Sequence, residues 1–140
     1  MRHPLAIALA LAAVAPPSAA AAQPRWREVG KLGDGSPVYV DQRSVKRAAD
    51  SVRATVRVRF AKPRKFPAGE VTSSRTALTL DCPGKRVAVR ENIYFHDERT
   101  NRVFQRTAPG IPGFMPVLGG SMTAVAFDDL CAKGGGPVRK

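Results

Sequence analysis

The sequence predicts an α+β domain, mostly β, with one helix near its C-terminal end. Three observations predict it. Val52 to Phe60 (VRATVRVRF) alternates without a break, so Val52, Ala54, Val56, Val58 and Phe60 share one face of a strand and Arg53, Thr55, Arg57 and Arg59 the other. Further segments of strand character are set apart by turns rich in glycine, proline and polar residues. Ser121 followed by MTAVAFDDLCA reads as an N-cap and a short helix.

In chain order, Trp26 to Lys31 is a first strand. Gly33-Asp34-Gly35-Ser36-Pro37 is a turn, and Val38-Tyr39-Val40 a second strand, which together make a hairpin. Asp41 is placed to accept a backbone N–H near Ser44, with a short helical segment over Gln42 to Ala49 and Val45 turned inward. The arginine strand comes next. Ala61 to Glu70 (AKPRKFPAGE) reads as a basic loop in which Phe66 is either tucked under or exposed. Ser73 to Cys82 resumes alternation, with Thr76, Leu78, Leu80 and Cys82 on one face and Arg75, Ala77, Thr79 and Asp81 on the other. Pro83-Gly84 turns the chain into a strand carrying Val87, Val89, Ile93 and Phe95. Glu91 falls among these apolar positions by parity, and a β-bulge between Arg90 and Asn92 would relieve it.

His96 to Asn101 is a polar connection, and Arg102 to Arg106 an edge strand protected by its charges. Thr107 to Gly120 (TAPGIPGFMPVLGG) holds too many prolines and glycines for helix or strand, yet is apolar. Ile111, Phe114 and Met115 there either cover the core or form a recognition loop. In the final helix Phe127, Leu130 and Cys131 share a face, which places Asp128 and Asp129 outside.

Leu5 to Val14 (LAIALALAAV) is an apolar run behind Arg2 and His3, ended by Pro16-Pro17-Ser18 and followed by Ala20-Ala21-Ala22. That is the pattern of a cleaved secretory signal over 1–22, too short for a transmembrane span. A cut after Ala22 leaves Gln23 first, with no cysteine nearby for a lipid anchor and no span in the mature chain. Residues 23–133 then form a single domain, and residues 134–140 a disordered basic tail. An exported chain meets an oxidising compartment, so the two cysteines, Cys82 and Cys131, are expected to be bonded and to pin the helix to the sheet.

The net charge of +12 implies attraction to polyanions. Arg53, Arg57, Arg59, Lys62, Arg64 and Lys65 form the candidate anionic-ligand face. The alternative is a solvated face whose arginines pair with acids such as Asp81 or Glu91. Catalysis lacks parts: His96 is the one histidine after the signal segment, and no free thiol is expected. His96, Asp97 and Glu98 are too close in sequence to converge readily on a metal. Gly119-Gly120-Ser121 resembles a phosphate loop only superficially. No enzyme activity, metal, cofactor or specific nucleic-acid partner is therefore expected.

Trp26, the Tyr39-Val40-Asp41 run with Ser44 three residues on, Cys82 closing a strand, and Ser121 capping a helix that ends in Cys131 occur in this order. In this the chain resembles the surface-adhesin protein E family of bacterial exported proteins, from about Trp26 to Cys131. The resemblance implies an antiparallel β-sheet of about six strands with a C-terminal α-helix packed across it. It also implies an adhesin that binds host matrix or plasma proteins. The other reading is an envelope-associated structural or stress protein in the periplasm, binding anionic lipid, lipopolysaccharide or peptidoglycan.

Overall fold

Alternating segments joined by tight turns can pair only with their neighbours, and the sheet follows chain order almost throughout. The computed structural model describes Val14 and residues 24–132. Val14 apart, the expected signal segment, its cut after Ala22 and the basic tail over 134–140 lie outside the described residues. The strands are β1 (Trp26–Lys31), β2 (Pro37–Asp41), β3 (Lys46–Arg47), β4 (Ser51–Phe66), β5 (Gly69–Asp81), β6 (Arg86–Asp97), β7 (Arg102–Thr107) and β8 (Phe114–Pro116), and helix α1 (Met122–Ala132) follows. The sheet runs β1-β2-β4-β5-β6-β7, with β3 on β4 and β8 on β6. Every pairing is antiparallel.

The sheet thus has eight strands, not six. The additions are the two shortest, β3 and β8, and both replace something else in the sequence reading. The expected helix over Gln42 to Ala49 is a single 3-10 turn at Gln42–Ser44 that gives way to β3. Ser44 Oγ donates to the Asp41 carbonyl at 2.7 Å and accepts the Thr55 N–H at 2.8 Å. That bridge ties the turn to β4 and returns the chain to the sheet. Within Thr107 to Gly120, Phe114–Pro116 pairs with Arg86–Ala88.

The arginine strand is longer than its alternation. β4 runs on to Phe66 and β5 starts at Gly69, so the expected basic loop is the far end of a hairpin. Pro63 lies inside the register irregularity between Arg59 and Arg64, where its missing N–H breaks no ladder bond. Gly69 takes a φ of +129° beyond the turn, open to glycine but not to a side chain. Phe66 is 47 % exposed and rests on Phe104, ring centroids 5.3 Å apart.

The core lies between α1 and one face of the sheet. Val38, Val40, Val52, Ala54, Val56, Val58, Leu78, Leu80 and Val87 meet Ala126, Leu130 and Cys131 there. Packing of α1 is close: a Cβ on Gly30 would stand 2.7 Å from the Val125 side chain. Ser121 Oγ accepts the Ala124 N–H at 3.2 Å, the expected N-cap. Cys82 and Cys131 are bonded, with Cα atoms 5.5 Å apart.

One helical residue departs from expectation. Asp128 is exposed, but Asp129 is buried and accepts two hydrogen bonds from Arg27, at 3.0 and 2.6 Å. Arg27 lies on the helix side of β1, opposite Val40. A carboxylate in that position needs a cation, and a bidentate guanidinium supplies it.

The bulge in β6 does more than relieve Glu91. Ala77 pairs with Glu91 and Leu78 with Val89, which leaves Arg90 unpaired. Beyond it the parity of β6 reverses. Val87 and Val89 face the helix, whereas Ile93 and Phe95 face the other way, opposite Arg75 and Ser73. The expectation that these four share one face is therefore corrected.

Candidate functional site

Arg53, Arg57 and Arg59 project from the face away from α1, as alternation requires, but they do not form one charged surface. Register sets Arg57 directly opposite Arg75. Like charges in that position repel, and Glu98 in the β6–β7 turn answers them. Its Oε1 accepts from Arg57 Nε at 2.9 Å and from Arg75 Nη2 at 2.6 Å, and its Oε2 from Ser73 Oγ at 3.2 Å. The Arg57 guanidinium also lies 3.7 Å over the Trp26 ring, and that of Arg75 lies 5.1 Å from Phe95. These contacts withdraw Arg57, whose side chain is 11 % exposed. Of the acids expected to neutralise this face, Asp81 holds Arg86 instead, and Glu91 lies 3.9 Å from Arg106.

Sequence reasoning put Glu98 in a polar turn and missed its role. The partners lie 41 and 23 residues away, and only the register brings them together. A usable signal was present: two arginines of matching parity on neighbouring strands require an acid. Around the cluster lies an open basin of about 540 Å³, lined by Arg59, Thr72, Asp97 and Arg99 as well as the clamped residues.

The remaining basic residues gather on the arm formed by the ends of β4 and β5. Lys62, Arg64 and Lys65 are all exposed. Arg64 stacks 4.1 Å over Phe60, and Lys65 reaches Glu70 only at 4.0 Å. Arg59 is exposed too, 5.6 Å from the Tyr39 ring, and Arg53 is exposed beside β3. The six candidate cations thus separate into a clamped one, Arg57, two on the sheet face, and three on the arm.

The apolar segment does not cover the core. Ile111 is 92 % exposed, Leu118 68 %, Met115 54 % and Phe114 48 %. Val117 alone of this apolar set packs against the core. His96 serves structure: Nδ1 is 2.6 Å from the Glu70 carbonyl, and the ring meets Phe104 edge-on. Among the described residues no group of His, Cys, Asp and Glu is arranged to hold a metal, and no helix is long and apolar enough to cross a membrane.

Burial alone would push the Glu98 carboxyl upward. Hydrogen bonds from Arg75 and Arg57, with their charges, outweigh it and hold the group below its ordinary 4.5. A depressed native pKa contributes stability that is complete above the unfolded value and is lost as pH falls through the native one. Glu98→Gln is therefore expected to cost about 2 kcal/mol at neutral pH and to flatten the acid limb of stability below pH 4.5. Urea unfolding across that range checks it. An acid limb as steep as in the parent would mean that Asp41 and Asp81, whose carboxyls are also lowered, carry it instead.

A family model described as Surface-adhesin protein E matches residues 26–132. Among solved structures, crystal form II of Haemophilus influenzae protein E is similar at 17 % identity and a TM-score of 0.55, over 88 % of this chain and 98 % of that one. Protein E from non-typeable Haemophilus influenzae is similar at 18 % identity and a TM-score of 0.52, over 87 % of this chain and 84 % of that one. At such identities the likeness is one of fold. No curated protein matches.

Proposed function

The chain belongs to the surface-adhesin protein E family, and from that premise we propose that it is a non-enzymatic binding module for host matrix or plasma proteins, held by the basic arm. Membership makes it a surface adhesin exported to the cell surface. The arm is the reading that its own geometry favours. Lys62, Arg64 and Lys65 stand exposed on a two-stranded projection, while Arg57 is spent inside the fold. Clustered cations of this kind attract acidic segments and sulfated chains over several ångströms and speed their encounter. A carboxylate-rich or sulfated surface of a matrix or plasma glycoprotein is the partner such a projection fits. Cleavage of residues 1–22 and a single domain over 23–133 belong to the same reading.

Retention on immobilised heparin and on coated matrix and plasma proteins tests it. The variant Lys62→Ser, Arg64→Ser, Lys65→Ser removes three cations from the arm. A control, Lys31→Ser, Arg43→Ser, Lys46→Ser, removes three exposed ones elsewhere. The arm variant is expected to elute earlier, with the slope of log affinity against log salt reduced by about 2 to 3. Equal losses in both variants would mean diffuse attraction and would refute a localised site.

A further inference from the structure

We infer that the exposed apolar segment around β8 is a docking element for the surface of an anionic phospholipid bilayer, separate from the arm proposed above. Three observations carry it. The first is composition: Thr107 to Phe127 contains no charged residue, although lysine and arginine abound elsewhere in the chain. The second is rigidity combined with exposure. Phe114–Pro116 is paired to β6, the Val117 N–H donates to the Lys85 carbonyl at 3.1 Å, and Ser121 Oγ donates to the Leu118 carbonyl. Pro109, Pro112 and Pro116 restrict the backbone further. Ile111 and Leu118 are nonetheless presented outward, 92 % and 68 % exposed. The anchored stretch from Phe114 to Leu118 loses little freedom when it is buried.

The third observation is charge. The strand that holds the segment begins at Arg86, with Lys85 in the turn just before it and Arg90 two residues past the paired stretch Arg86–Ala88, and all three are exposed. Arg86 lies 5.4 Å from the Phe114 ring and is paired with Asp81. Lys85 and Arg90 add cations outside that pair. Exposed apolar residues with cations close by match a bilayer interface, where side chains enter the acyl boundary and ammonium or guanidinium groups meet phosphates. A soluble polyanion would leave Ile111 and Leu118 in water, and so does not account for them.

The test uses the folded, oxidised protein with vesicles of equal parts phosphatidylglycerol and phosphatidylcholine, and with vesicles of phosphatidylcholine alone. The parent is expected to sediment with the anionic vesicles. Ile111→Ser, Leu118→Ser, at exposed positions that leave the core intact, is expected to weaken this by at least about tenfold with heparin retention unchanged. Lys85→Asn, Arg90→Gln is expected to cost about fivefold for each cation removed. The proposal falls if the parent ignores anionic vesicles, or if the serine variant binds them as the parent does. It falls also if the serine change abolishes concentration-dependent self-association instead, which would make the segment an interface between copies. Loss of vesicle binding in the arm variant alone would assign the lipid contact to the arm and equally overturn this reading.

Discussion

Cys82→Ser is expected to lower the free energy of unfolding by about 4 kcal/mol. The bond joins residues 49 apart in sequence. Closing a loop of that length removes entropy from the unfolded chain, worth about 4 kcal/mol in the chain-entropy model. Its native contribution is also specific, because Cys131 lies in the last turn of the helix that covers the core and Cys82 lies just beyond β5. Urea unfolding of the parent with and without reductant, beside the variant, measures it. The reduced parent and the variant should coincide. A variant as stable as the oxidised parent would show that the packing of α1, not the bond, holds the helix in place.

Leu78→Ala is expected to cost about 4 kcal/mol, in the upper part of the range for buried leucines. Leu78 is wholly inaccessible to solvent and pairs with Ala54 on β4 and Val89 on β6. Ala54 is already small, so truncation would set two alanines side by side beneath the helix. Neighbouring strands are fixed by their ladders and cannot move in to fill the space. Leu78→Met, which keeps the volume, should cost less than about 1.5 kcal/mol. Chemical denaturation of both variants decides the matter. Equal losses would place the sensitivity in side-chain shape and not in a void.

The parts of this fold that were legible in the sequence are those set by neighbours along the chain. Val52 to Phe60 declared both its faces, because alternation alone fixes which residues point together. Ser121 and the residues after it declared the helix, because capping is a contact between close neighbours. Glu91 announced the bulge in β6 by sitting at the wrong parity. What stayed hidden depends on register and docking. Asp129 was read as outward because its partner Arg27 is 102 residues away. Ala61 to Glu70 was read as loop because Pro63, Pro67 and Gly69 are turn residues in any local view, although a bulge accommodates the first of them. The candidate site was half legible. Lys62, Arg64 and Lys65 are exposed, on a strand end and not in a loop, whereas Arg57 looks like them in any local view and is set apart only by its bond to Glu98.

The position of α1 also sets a timetable. A chain is synthesised from its N-terminal end, and each strand of the sheet is made before the helix is. Until Met122–Ala132 follows, Val38, Val56, Leu78 and Leu80 have no lid, and Cys82 is a thiol waiting for its mate. The sheet can be laid down as it arrives, strand beside preceding strand, but it stays sticky and oxidisable for the whole interval. Arg27, among the first residues of the domain to arrive, waits longest, because Asp129 arrives almost last. The protein is therefore exposed to wrong partners until the helix is in place, and a chain cut short before Cys131 would remain in that unfinished state.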